Sequence, residues 1–147
     1  MSSGVQDFVM EQPLFSHHDH HCHFKEFEEN RSGYDAKSLL GYADWDIETA
    51  AGIESDGQVS QDEKIAAHWQ DIRTTGYGRA VSLGCKMLFG LEYSPENFGA
   101  ITEKLRSVFK DRPAPEIYDY FVKEKANNRW VLQDGYFRPG IAKTRNN

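Results

Sequence analysis

The sequence predicts an α/β fold in which two parallel strands are separated by a long helical segment. Residues 13–24 begin with the apolar pair Leu14 and Phe15 and lack helical spacing, which favours a strand. A second β-prone run covers residues 129–133. Between them, apolar residues recur at steps of three or four, as on one face of a helix. Two strands joined through helices must run parallel if they pair.

About four or five helices are predicted between the strands. The first follows Asp35 and ends before Gly52, a residue type suited to the left-handed position after a helix. The second follows a capping box formed by Ser60 and Glu63. The triplet Gly76-Tyr77-Gly78 is expected to interrupt regular structure. The apolar stripes of the second to fifth helices are Ile65, Trp69 and Ile72; Val81, Gly84, Cys85 and Leu88; Phe98, Ile101, Leu105, Val108 and Phe109; and Ile117, Tyr120 and Phe121.

Composition limits the classes of partner. The chain has 147 residues, 39% of them hydrophobic and 13% aromatic, enough for the core of one globular domain. Its 23 acidic residues outnumber 17 lysines and arginines, and this balance argues against a nucleic acid, whose phosphates attract clustered positive charge. No apolar run approaches the roughly 20 residues of a membrane helix, so no membrane partner is expected.

The ends of the chain and its cysteines suggest a cytoplasmic protein. Residues 1–12 form a leader without the basic and apolar regions of a secretory signal. Cys22 and Cys85 are too few for a disulfide framework, which favours a reducing compartment. Residues 135–147 form a basic, polar tail that we expect to be poorly ordered.

The most distinctive feature is a histidine cluster that holds five of the six histidines between residues 17 and 23. Side chains two apart on a strand share a face, so His21 and His23 are predicted to present two imidazoles to one metal ion. On such a strand, Asp19 and His17 would lie on the same face as His21 and His23, whereas His18, His20 and Cys22 would lie on the opposite face. Two simpler interpretations remain, a non-specific chelating tract and a solvated loop without ligand function.

The run Asp19-His20-His21-Cys22-His23-Phe24 resembles the D-x-H-x-H motif that ends the first barrel strand in the amidohydrolase superfamily. Its D-x-H-C-H form is similar to that of the uronate isomerase branch. Less specific likenesses, to the helical region after that strand and to the start of the second strand, lie at residues 39–46, 50–52, 74–80, 88–91 and 124–133.

The resemblance implies that residues 13–134 are the N-terminal portion of a (β/α)8 barrel, with a long helical insertion between its first two strands. In this family a metal, most commonly zinc, activates water at the carboxyl ends of the strands to attack an amide, ester or lactone. His21 and His23 would be the first two ligands. The family also uses later histidines and an aspartate after the eighth strand, and a barrel has about 250 residues, so the resemblance implies an incomplete catalytic site.

Three further expectations concern ligands and partners. Tyr77 and Arg79 are candidates for binding a small-molecule substrate, because the arginine fork suits a carboxylate, although Gly76 and Gly78 also suit a turn between helices. The open edges of a two-stranded sheet make a homo-oligomer possible. Two alternatives to a hydrolase remain: a sugar-acid isomerase of the uronate type, and a small non-enzymatic module that binds metal through residues 17–23.

Overall fold

The computed structural model describes residues 4–20, 22–52 and 61–133, and it confirms a mixed fold, mostly helical, with two parallel strands. The chain divides into two compact units. We call residues 30–110 the helical unit and the flanking ranges 1–29 and 111–147 the strand unit. The tail predicted at residues 135–147 lies outside the described residues.

The strand unit contains both strands. Its elements are α1 (Gly4–Glu11), β1 (Leu14–Asp19), α2 (Phe24–Asn30, which reaches the unit boundary), α7 (Ala114–Tyr118), a π-helix (Asp119–Lys125) and β2 (Asn128–Gln133). The strands pair in parallel, with Leu14 opposite Asn128 and Asp19 opposite Gln133. Helix α1 occupies most of the predicted leader.

The predicted strand at residues 13–24 is too long, because β1 ends at Asp19. Asp19, opposite Gln133, is the last residue of β1 that pairs with β2 in the described ladder. From His23 onward the backbone turns helical instead, and the carbonyl of His23 accepts a hydrogen bond from the N–H of Phe27 at 2.9 Å.

The helical unit follows the predicted order with two corrections. Its elements are two 3₁₀-helices (Arg31–Gly33 and Lys37–Ala43), α3 (Asp44–Ala51), α4 (Gln61–Ile72), α5 (Gly76–Phe89), a 3₁₀-turn (Pro95–Asn97) and α6 (Phe98–Phe109). The first correction concerns the single helix predicted between Asp35 and Gly52, which is a 3₁₀-helix followed by a short α-helix. Ser60 of the predicted capping box lies outside the described residues. The second correction concerns Gly76-Tyr77-Gly78, which forms the first turn of α5 instead of interrupting regular structure. Thr75 caps this helix, since its hydroxyl accepts a hydrogen bond from the N–H of Gly78 at 3.0 Å.

The predicted apolar stripes supply the core of the helical unit. Ile65, Trp69 and Ile72 are buried on α4, Cys85 on α5, and Ile101, Leu105 and Phe109 on α6. Gly52 and Gly90 end their helices with φ of +66° and +69°, as expected of glycine in this position. Arg31 donates a hydrogen bond to the carbonyl of Phe109 at the C-terminus of α6, where a positive charge is favourable.

Tyr93 ties distant parts of this core together. Its side chain is 1% exposed, and its hydroxyl donates a hydrogen bond to the carbonyl of Ala36 at 2.9 Å. Its ring packs against those of Trp69 and Phe98, with centroids 5.3 and 5.0 Å away. The N–H of Ala36 in turn donates to the hydroxyl of Thr102 on α6 at 3.0 Å. Both backbone polar groups of Ala36 are thereby satisfied.

Asp35 fixes the chain where the second 3₁₀-helix begins. Its carboxylate accepts hydrogen bonds from the N–H groups of Lys37 and Ser38, each at 3.0 Å, and its own N–H donates to the Ser38 hydroxyl at 3.1 Å. Partial burial raises the pKa of the Asp35 carboxyl, but the hydrogen bonds that it accepts from the N–H and hydroxyl of Ser38 and from the N–H of Lys37, together with the Lys37 ammonium, outweigh burial and lower the pKa.

Gly78 sets the approach of α5 to the end of α4. A Cβ at this position would lie 2.2 Å from the carbonyl oxygen of Ile72, closer than two such atoms can come. Gly84, on the same helix, has open space around its missing Cβ. The two glycines therefore separate the effect of close packing from that of helix propensity.

We predict that Gly78→Ala lowers the free energy of unfolding by about 1–3 kcal/mol, because the methyl group forces backbone atoms apart. Gly84→Ala is the matched control and should raise it by about 0.5–1 kcal/mol, because alanine is the better helix former. Urea unfolding followed by circular dichroism measures both. Equal effects of the two substitutions would contradict the close approach at Gly78.

We also predict that Tyr93→Phe costs about 0.5–1.5 kcal/mol of unfolding free energy, because it removes the shorter of two hydrogen bonds to the carbonyl of Ala36 and leaves only the one from the N–H of Leu39 at 3.4 Å. Tyr120→Phe is the control, since the Tyr120 ring contacts Arg112 and Lys125 through its face, with centroid distances of 4.9 and 5.1 Å that the substitution keeps. It should change stability by less than about 0.5 kcal/mol. A Tyr93→Phe variant as stable as the parent would show that this hydrogen bond does not stabilise the helical unit.

Candidate functional site

The histidine cluster lies at the carboxyl end of β1. This strand ends at Asp19, opposite Gln133 near the end of β2, so both strands point their carboxyl ends in the same direction. Ligand sites of parallel α/β sheets form at this edge, outside the carboxyl ends of the strands. The fold therefore places the imidazoles where such a sheet builds its sites.

Two imidazoles of the cluster meet directly. Nε2 of His18 and Nε2 of His20 are 2.8 Å apart, and the ring planes stand nearly perpendicular, at 86°. One ring must donate a proton and the other accept it for this contact to be a hydrogen bond. The same separation also suits two nitrogens that each lie about 2.0–2.1 Å from one metal ion with a near-right-angle bite.

The predicted ligand pair is only partly within the described structure. His21 lies outside the described residues. His23 is exposed and immediately precedes α2. The residue before it, Cys22, is a half-buried free thiol. Within residues 4–20, 22–52 and 61–133, no three metal-ligating side chains come close enough to hold an ion. Shared ligation by His21 and His23 thus stays a prediction.

The sixth histidine, His68, contacts a residue of its own helix. His68 lies within α4 at a kink, where its backbone has φ of −112° and ψ of 15°. Its Nδ1 is 3.8 Å from a carboxylate oxygen of Asp71, one helical turn further on.

The two predicted substrate-binding residues have different surroundings. Arg79 is exposed and lines a cleft of about 490 Å³ in the helical unit, whereas Tyr77, which is 38% exposed, is not part of the cleft lining described here. The cleft lies between the end of α4, one side of α5 and residues 92–96. Trp69 and Tyr93 contribute its aromatic surface.

Sequence reasoning missed most of the charged residues of this cleft. Arg73 and Lys86 join Arg79 on the side formed by the two helices, and Glu92 and Glu96 line the other side. The spacing of Arg79, Leu83 and Lys86 at steps of four and three would have indicated one helix face. Nothing in the local pattern links that face to residues 92–96.

The chain matches no known family model, no curated protein and no solved structure. In the part of the chain that the structure describes, no helix has the length and apolar character needed to cross a membrane.

The two thiols are predicted to differ sharply in reactivity. Burial raises the pKa of Cys85 to about 11, so its thiolate is scarce at neutral pH and becomes abundant only in strongly alkaline solution. Cys22 is half-buried. At about pH 8 a thiol-alkylating reagent should modify Cys22 first and Cys85 only after unfolding, as peptide mass spectrometry would show. Prompt labelling of Cys85 in the folded chain would contradict its place in the core.

Proposed function

We propose that this chain is the N-terminal portion of a metal-dependent hydrolase of the amidohydrolase type, which cleaves a C–N, ester or lactone bond. The observation that supports this most is the position of the histidine run at the carboxyl end of β1, a strand that pairs in parallel with β2. That edge is where a (β/α)8 barrel carries its catalytic groups. The helices between the two strands would be an insertion of the barrel.

The proposed ligands are His21 and His23, whose imidazoles suit zinc as donor groups. When bound, such an ion acts as a Lewis acid that lowers the pKa of water toward neutrality. The contact between His18 and His20 lies in the same segment but joins the two imidazoles of opposite parity to the proposed ligands. Residues elsewhere in the complete enzyme would supply the remaining ligands and the proton acceptor.

The same contact favours a second candidate, a non-enzymatic metal-binding module. In that case His18 and His20 bind the ion themselves, and a bite near a right angle suits copper or nickel better than tetrahedral zinc. The two candidates differ in which pair of imidazoles holds the metal, and this difference can be measured.

We further propose a cytoplasmic setting and a small-molecule substrate. Both cysteines are free thiols, which agrees with a reducing compartment. Self-association is an additional proposal, supported by large apolar side chains exposed on α1 and β1 of the strand unit: Val5, Phe8, Val9, Met10, Leu14 and Phe15.

We predict that replacing both His21 and His23 with alanine abolishes stoichiometric zinc binding, because it removes both proposed ligands. The matched control replaces His18 and His20 with alanine and should change zinc affinity little. Equilibrium dialysis with elemental analysis of the full chain measures the zinc content of both variants. Greater loss of zinc in the His18/His20 variant would reject the hydrolase ligand set and support the metal-binding module.

A further inference from the structure

The cleft of the helical unit has the features of a ligand site that is independent of the histidines. Its volume of about 490 Å³ falls within the range of small-molecule pockets, which is about 300–1,000 Å³. All of its lining comes from residues 69–96, which include the end of α4 and the whole of α5. Its aromatic part is rigid, because Trp69 and Tyr93 are both buried and pack against each other.

Opposite charges line this cleft without neutralising each other. Arg79 and Lys86 lie on α5, and Glu92 and Glu96 lie on the segment between α5 and α6. Among the described residues, no ion pair joins these cations to these carboxylates. Positive and negative groups that share a cleft beyond ion-pair distance leave room for a ligand that contacts both.

The neighbouring polar groups hold the charged side chains in place. The Nε of Arg73 donates to the side-chain oxygen of Gln70 at 2.8 Å, which anchors the guanidinium at the end of α4. The Ser94 hydroxyl lowers the pKa of Glu96 by hydrogen bonding and so favours its anionic form. The Asn97 amide donates to the carbonyl of Glu92 at 2.9 Å and fixes the backbone at that residue.

We propose that this cleft binds a small zwitterion, a molecule with a carboxylate at one end and an ammonium group at the other. The carboxylate would contact Arg79 and Lys86, since an arginine fork accepts two carboxylate oxygens at once. The ammonium group would face Glu92, with the indole of Trp69 beside the ligand as an apolar surface. This proposal does not depend on the metal site or on hydrolase activity.

The test uses 4-aminobutanoate as the zwitterionic probe, with butanoate and butylammonium as analogues that each carry one of its two charges. The readout is the indole N–H resonance of Trp69 in the isotope-labelled full chain. The zwitterion should shift it saturably, with a dissociation constant about fivefold lower than that of either analogue, which corresponds to about 1 kcal/mol for the second charge pair. Equal affinity for all three probes, or no saturable shift, would overturn the proposal.

Two substitutions assign the two ends of the ligand. Arg79→Gln should weaken both 4-aminobutanoate and butanoate about fivefold and leave butylammonium unchanged, because it removes only the carboxylate contact. Glu92→Gln should weaken 4-aminobutanoate and butylammonium and leave butanoate no weaker. The matched controls are Lys104→Gln and Glu103→Gln, two exposed residues of α6 outside the cleft lining, and they should change nothing. Loss of zwitterion binding in a control variant would also contradict the assignment.

Discussion

The helical unit depends on the hydrogen bond from the Tyr93 hydroxyl to the carbonyl of Ala36. This bond joins residues 57 positions apart in the sequence, and the N–H of Ala36 extends the connection to Thr102 on α6. Burial raises the pKa of Tyr93 well above its ordinary value, so the hydroxyl stays protonated and remains a donor. A polar group in an apolar core costs free energy unless it is paired, and this pairing fixes one position for the start of the second 3₁₀-helix.

The same residue connects the core to the surface. The Tyr93 ring packs against Trp69, and both side chains reach the cleft through the small part of them that is not buried. Gly78 sets how closely α5 approaches the end of α4, and this distance positions Arg79, one residue further along, relative to Trp69. The charged residues of the cleft thus lie on elements whose positions are set by two interactions: the buried hydrogen bond between Tyr93 and Ala36, and the close backbone contact between Gly78 and Ile72.

Periodicity predicted the core well and the boundaries less well. Ile65, Trp69 and Ile72 were recognisable because burial of one helix face imposes a repeat that the sequence displays. The glycines near residue 77 were misread, because glycine lowers helix propensity wherever it occurs, whereas Gly78 is placed by its contact with Ile72. The end of β1 depends on its pairing with β2, which is distant in the sequence, and no local pattern contains that information. The cleft was missed for the same reason, since its two charged sides come from separate segments.

The end of β1 also changes the argument for the metal ligands. Alternation of side chains holds only while the backbone is extended, and β1 stops at Asp19, before His21 and His23. Same-face geometry of the proposed pair therefore does not follow from β1 itself. Two imidazoles also leave at least two of zinc's four positions for other ligands. Because metal binding is generally coupled to folding, an ion held by the proposed pair would add a constraint on these two side chains that β1 does not supply.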